Sequence, residues 1–185
     1  LRVFSRDERR DLLVELVLRE HQGIVPYRLL SIEWLLLQDP RRSIHPERPL
    51  LPGQQYPGLG LLGEVVGMMI MVCERLGFDG LLFSPAHFHV AAQAHGMLRF
   101  LDPEDEAAFN AIEEALTGMA LGEASRVVHG GGLVDRHSDE TVRWRAVPMV
   151  MPVSAAFKER FDNDEYDDAV REAGRQLRYR RREGA

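Results

Sequence analysis

Residues 55–83 read QYPGLGLLGEVVGMMIMVCERLGFDGLLF, and this stretch decides the fold. Two glycines, Gly58 and Gly60, precede a run that is apolar almost all round, and Gly77 follows that run. The pattern predicts a helix over 61–76 and then a short buried strand over 80–83. Glycines let a ligand approach the backbone closely, and the free amides of a helix N-terminus bind anions. The stretch therefore predicts either a diphosphate-binding turn or a simple helix-capping turn.

The segment before this turn predicts a strand and a long loop. Residues 27–38 are apolar on every side, so their periodicity does not separate a central strand from a buried helix, and we favour the strand. Five of the ten prolines then fall within residues 40–57. Because proline fixes φ and lacks an amide donor, residues 39–57 are expected to form a stiff, extended loop. A loop of this length inside a compact domain is usually functional.

The remaining segments predict a mixed α/β domain. Ser5 and Glu8 form a capping box, and the leucines and valines that follow predict a helix ending before Gly23. Asp102 and Pro103 open another helix. The further predicted elements are a helix over 86–96, strands over 97–101 and 141–147 with a hairpin at 136–140, and helices over 103–117 and about 155–181. We expect a single domain, 1–185, with a mixed sheet and flanking helices.

Composition excludes several classes of protein. The 185 residues include 45% hydrophobic and 28% charged residues, which is ordinary for a globular domain. The net charge of −6 argues against a nucleic-acid coat protein, and the single cysteine excludes a disulfide scaffold or a multi-cysteine zinc site. The most apolar stretch is too short to span a bilayer and contains Glu64. We therefore expect a cytoplasmic protein that binds neither nucleic acid nor membrane.

The order of motifs resembles the acyl-CoA N-acyltransferase family with the GNAT fold. That family has a Gln/Arg-x-x-Gly-x-Gly/Ala loop, which Gln55, Gly58 and Gly60 match. A helix, a glycine and a buried strand follow in the family, and then a helix with a degenerate motif in which Ala91 and Phe100 match. The resemblance covers about residues 55–100. It implies a GNAT-like core.

The chain also departs from the family's pattern. Phe88 replaces an asparagine, His95 a tyrosine and Arg99 a glycine, while Pro57 removes one amide that the loop could donate. Only 54 residues precede Gln55, fewer than the family's N-terminal strands and helices occupy, and the chain begins with Leu1 rather than Met. The resemblance therefore implies a trimmed N-terminal half, residues missing upstream, or a GNAT-like fold without the activity.

The family's chemistry implies roles for particular residues. Acetyl-CoA or another acyl-CoA would be the co-substrate, and no metal is expected. An amine, on a small molecule or a peptide, would attack the thioester beside the strand that precedes the loop. Glu33 is the candidate base, since burial in an apolar strand would raise its pKa, and the alternative is a carboxylate facing water. His95 is the candidate proton donor to the thiolate. The diphosphate would lie on the loop residues Gln55, Gly58, Leu59, Gly60, Leu61 and Leu62.

Two other functions and one assembly stay open. The first is a noncatalytic GNAT-like domain that binds a CoA derivative or acts through protein partners. The second is a metal-binding protein that uses His87, His89 and His95, because alternate residues of a strand share a face. The apolar strand and helices would also allow pairing across a two-fold axis, so a homodimer is a candidate assembly.

Overall fold

The computed structural model describes residues 1–7, 10–21, 23–24, 26–47 and 49–182. The described elements, in chain order, are β1 (Arg2–Phe4), β2 (Leu12–His21), β3 (Leu29–Leu37), α1 (Leu62–Leu76), β4 (Gly80–Phe83), α2 (Phe88–Ala94), β5 (Arg99–Phe100), α3 (Pro103–Ala115), α4 (Leu121–His129), β6 (Leu133–Asp135), β7 (Met149–Pro152), α5 (Ala155–Lys158), α6 (Asp164–Gly174) and β8 (Tyr179–Arg181).

The chain divides into two compact units. Unit 1 comprises Leu1–Phe83 and Met151–Lys158, and unit 2 comprises Ser84–Val150 and Glu159–Ala185. Both contain strands and helices, so the expected mixed α/β class is confirmed. The described helices are all too short or too polar to span a bilayer.

Unit 1 contains a mixed sheet in which β1, β2, β3 and β4 are successive neighbours. The β1–β2 and β2–β3 pairs are antiparallel, whereas β3 and β4 are parallel, with Leu29–Ile32 opposite Gly80–Phe83. A parallel pair needs a crossover connection, and α1 supplies it. The sequence predictions for β3, α1 and β4 are therefore confirmed.

Helix α1 buries one face and is closed by a glycine. Met69 and Cys73 are buried, and burial raises the pKa of the Cys73 thiol to about 11. Gly77 adopts φ 66°, a left-handed conformation in which its amide donates to the Cys73 carbonyl. Glycine takes this conformation without the steric cost that a Cβ imposes, so the predicted end of the helix is confirmed.

Gly80 lies where two backbone segments of unit 1 approach each other closely. A Cβ at Gly80 would lie 2.5 Å from the carbonyl oxygen of Met151 and 3.1 Å from the ring of Phe157. The preceding residue, Asp79, accepts hydrogen bonds at its backbone oxygen from the amides of Val153 and Ser154. Strand β4 is thus held against the segment 151–158 by contacts that leave no room for a side chain at position 80.

Unit 2 has a core of aromatic rings. Phe109 of α3 lies 5.8 Å from Phe88 and 5.2 Å from Phe100, measured between ring centroids. Trp144 also packs on Phe88, and its Nε1 donates to the backbone oxygen of Pro85 at 2.9 Å. Around this core α2 packs on α4 and α3 packs on α6, while β6 pairs with β8 and β5 pairs with Met149–Val150. The Asp102 side chain caps α3 as predicted, accepting from the Glu104 amide.

Three predicted elements were wrong. The predicted N-terminal helix is the strand β2, in which Val14 is paired with Val3 on one side and Leu37 on the other. Glu8 of the predicted capping box lies outside the described residues. Residues 142–147 are not in a strand; within them Trp144 is half-buried and its Nε1 donates to the Pro85 oxygen. The predicted helix over about 155–181 is α5, α6 and β8, since the Asn163 side chain caps a new helix by accepting from the Tyr166 amide.

Candidate functional site

The glycine loop of unit 1 leads directly into the first turn of α1. Gly60 has φ 77°, and Leu61, at the N-cap, forms no side-chain hydrogen bond to the helix. No described heavy atom lies within 4 Å of a Cβ built on Gly60 or on Gly63. The first turn therefore has no side-chain cap and is uncrowded at Gly60 and Gly63, which leaves room for an anion at this helix N-terminus.

The remaining loop residues fix this turn or lie on the surface. The backbone oxygen of Pro57 accepts from the Asp39 amide at 2.7 Å, so the end of the proline-rich segment is joined to the residues after β3. Gly58 follows, with its would-be Cβ 3.7 Å from the Leu37 oxygen. Gln55 is exposed, Leu59 and Leu62 are half-buried, and Glu64 is an exposed carboxylate in the first turn. Glu64 lowers the positive potential that the helix presents at this end.

Strand β3 passes from buried to exposed residues at Glu33. Among the described residues, its pairing with β4 ends at Ile32, and its register with β2 shifts between Val17 and Leu18, so that Glu33 has no partner opposite it. Residues Leu29–Ile32 are buried, whereas Glu33 is exposed and Trp34 retains 53% of its accessible surface. The expected burial of Glu33 is therefore wrong, because the strand that covers β3 stops one residue earlier. The alternative, a carboxylate facing water, is what the structure shows.

His95 lies in unit 2, at the C-cap of α2. Its ring centroid is 4.6 Å from that of Phe109, and its Nε2 is 3.9 Å from Oε1 of Glu106. The side chain keeps 26% of its accessible surface. His95 thus contacts the edge of a buried polar network, whereas Glu33 and the glycine loop belong to unit 1.

That network centres on Glu106, which is only 5% exposed. Arg99 reaches both carboxylate oxygens, with Nη2 at 3.1 Å and Nε at 3.2 Å, and the Phe100 amide donates to Oε2 at 3.2 Å. The Tyr166 hydroxyl lies 2.8 Å from Oε2 and 2.7 Å from the Phe100 oxygen. Burial opposes ionisation of Glu106, but the nearby His95 ring and hydrogen bonds from Arg99 and Tyr166 outweigh it and lower its pKa to about 2. Glu106 is therefore ionised at neutral pH and fully partnered.

A second polar cluster joins α2 to α4. The ring of His87 stacks on that of His89 with centroids 5.6 Å apart, and it lies 5.9 Å from the ring of His129. His89 Nδ1 is 2.9 Å from the Ser125 hydroxyl. His95 contacts a different set of side chains, those around Glu106. Among the described residues no group of three histidine, cysteine, aspartate or glutamate side chains is arranged to hold a metal ion.

Sequence reasoning singled out His87, His89 and His95 but missed the contacts that form the two clusters, because the residues in contact are far apart along the chain. The contacts of Glu106 with Tyr166 and of His89 with Ser125 span 60 and 36 positions. The only local signal was the predicted α3 N-terminus, which places Glu106 in the first helical turn. Comparison with protein-family models, with curated proteins and with solved structures gave no match to this chain.

Proposed function

We propose that the chain is an acyl-CoA N-acyltransferase with a GNAT-like core, in which unit 1 binds the diphosphate of the acyl-CoA. The observation that carries the proposal is the connection between two parallel strands of unit 1, β3 and β4. It contains the glycine loop and then α1, whose first turn has no side-chain cap and faces open space. The sequence resemblance places the diphosphate at this turn, on residues Gly58, Leu59, Gly60, Leu61 and Leu62.

The free edge of β3 supports the same proposal. Beyond Ile32 the strand continues to Leu37, but no described strand pairs with it on the side of β4. Backbone groups along such an edge are available to an extended ligand that carries amides. In the family that the chain resembles, the corresponding strand lies beside the thioester arm of the co-substrate. An acyl-CoA bound at the loop would thus run along residues 33–37.

The proposed reaction is direct aminolysis of the thioester. The amine nitrogen of a small molecule or peptide attacks the carbonyl carbon, a C–N bond forms and the C–S bond breaks. The proton lost from the amine goes to Glu33, and the thiolate of CoA takes a proton from solvent water. Glu33 is exposed at the register shift of β3, so it is accessible to an incoming ammonium group.

One observation favours the second candidate function, a noncatalytic GNAT-like domain that binds a CoA derivative. Glu33 lies in water rather than in an apolar pocket, so the environment that would tune a catalytic base is missing. Hydrolysis of acetyl-CoA without an acceptor separates the two functions. The enzyme is expected to accelerate it, and the noncatalytic domain is not.

Gly63→Leu is the first test of the loop assignment. Gly63 lies in the first turn of α1 with open space around its Cβ position, so the chain tolerates a side chain there. Helical side chains lean toward the N-terminus, which places the leucine where the diphosphate would lie. We expect CoA affinity, measured by isothermal titration calorimetry, to fall about tenfold or more, which corresponds to about 1.4 kcal/mol.

Gly67→Ala is the matched control for the change in helix propensity. It lies one turn further along α1 and also has no described atom within 4 Å of its Cβ position. Its CoA affinity should match that of the unaltered protein, and adenosine diphosphate should compete with CoA. Equal affinities for Gly63→Leu and the unaltered protein would contradict the loop assignment. Absence of any CoA binding by folded protein would contradict the proposed function itself.

A further inference from the structure

Three histidines of unit 2 form a cluster between α2 and α4 that the proposed reaction does not use. His89 is 4% exposed, and its Nδ1 lies 2.9 Å from the hydroxyl of Ser125, which is 1% exposed. The His87 ring covers His89, and His129 approaches His87 from the end of α4. A single buried hydrogen bond, His89 to Ser125, and one ring contact, His87 to His129, therefore join the two helices at this point.

The cluster has no negative charge to balance a proton. Within the described part of the chain, no carboxylate makes an ion pair with His87, His89 or His129. Helix α2 contains no charged residue. The charged residues of α4 besides His129 are Glu123 and Arg126, and both are exposed. A proton on His87 or His89 would therefore be opposed by burial and by a neighbouring ring.

We propose that the cluster of His87, His89 and His129 is an acid-sensitive lock, which holds α2 against α4 at neutral pH and releases them when its imidazoles are protonated. The opening is local to unit 2. Nδ1 of a protonated His89 can only donate to the Ser125 hydroxyl, and a protonated His87 repels the ring stacked on it. In the released state the rings of His87 and His89 are exposed to water, so neither burial nor a neighbouring ring opposes their protonation.

Linkage gives the direction and the pH range of this opening. Burial, with a smaller contribution from His87, lowers the pKa of His89 to about 4, and burial and His129 also lower the pKa of His87. An exposed histidine has a pKa of about 6.5, so the open state takes up the proton first. Closure is therefore favoured fully above about pH 6.5 and is weakened as the pH falls toward 4. For His89 alone, the ratio of closed to open molecules falls by nearly tenfold per pH unit within this range, and the total loss approaches about 300-fold well below pH 4.

The chain contains a reporter for this opening. Trp144 lies 6.0 Å from Phe88, the first residue of α2, and its Nε1 donates to the Pro85 oxygen. The only other tryptophan, Trp34, is in unit 1 and largely exposed. In a Trp34→Phe background, tryptophan emission therefore reports on the surroundings of α2. We expect it to shift to longer wavelength between about pH 6.5 and pH 4.

His89→Asn tests the lock directly. The asparagine amide can bond the Ser125 hydroxyl but takes up no proton. In the Trp34→Phe background this variant should move the emission transition down by about one pH unit or more. The matched control, His137→Asn, replaces an exposed histidine of the same unit and should leave the transition in place. An unchanged midpoint in folded His89→Asn, or no transition above pH 4 in the parent, would refute the lock.

Proton NMR of the unaltered protein gives a second test that needs no variant. The titrations of the seven histidines are followed through their ring protons. We expect His89 and His87 to titrate at the lowest pH values of the set, together with loss of protection of the α2 amides. Seven titrations grouped near pH 6.5 would contradict the proposal even if His89→Asn failed to fold.

Discussion

Gly80→Ala is expected to lower the free energy of unfolding by about 3 kcal/mol or more. The added Cβ would lie 2.5 Å from the backbone oxygen of Met151 and 3.1 Å from the ring of Phe157. A backbone oxygen cannot turn away as a flexible side chain can, so β4 and the segment 151–158 must move apart. Urea denaturation monitored by circular dichroism measures the loss.

Gly67→Ala is the control for this prediction. It adds the same methyl group at a helical position in unit 1 where no described atom lies within 4 Å. Because glycine is the poorer helix former, this variant should gain up to about 1 kcal/mol. If both alanine variants had the same stability, the close approach at Gly80 would be wrong.

Glu106→Gln is expected to cost about 3 kcal/mol of stability. The change removes the charge that Arg99 contacts through both carboxylate oxygens, and it leaves a guanidinium that is only partly exposed facing a neutral amide. It also weakens the acceptor used by the Phe100 amide and the Tyr166 hydroxyl. Glu113→Gln, on the exposed face of the same helix, should change stability by less than about 0.5 kcal/mol.

The same variant should change the pH dependence of unfolding. Glu106 has a pKa of about 2 in the folded chain, against the usual value of 4.5 for a glutamate side chain. A lowered pKa stabilises the fold above the unfolded value, and the stabilisation is lost as the pH falls from 4.5 to 2. This loss should be absent in Glu106→Gln and unchanged in Glu113→Gln. Its range overlaps that of His89 only between about pH 4 and 4.5, so the two effects are separable outside that interval.

The sequence predicts best where local chemistry decides the structure. Between Gly60 and Phe83 the glycines, the long apolar run and the short strand each indicate a single secondary structure, and the structure has those elements. The predicted N-terminal helix was wrong because tertiary pairing, and not the local pattern, decides the structure there. Leu12, Leu16 and Val17 satisfy a helical period, but pairing with β1 and β3 makes them a strand. Tertiary pairing thus overrode a pattern that a short segment cannot decide alone.

Part of the candidate site could be predicted from the sequence and part could not. The uncapped turn at Gly60 and Leu61 could be predicted, because helix N-termini follow from the sequence of the turn. The exposure of Glu33 could not, since it depends on where β4 ends and on a register shift opposite Val17 and Leu18. Neither could the contacts of Glu106 with Tyr166 and of His89 with Ser125, which come from helices more than 30 positions away.

Because Cys73 is buried, labelling of this single thiol measures how often unit 1 opens. Its side chain has no accessible surface, and its raised pKa keeps the nucleophilic thiolate scarce at neutral pH. A thiol reagent can therefore react only in molecules where α1 has lifted from the sheet, and pulse labelling counts those molecules directly. Trp144 gives the corresponding signal for unit 2. One sample can thus report, by mass spectrometry of the labelled thiol and by tryptophan fluorescence, whether unit 1 and unit 2 open together or one after the other.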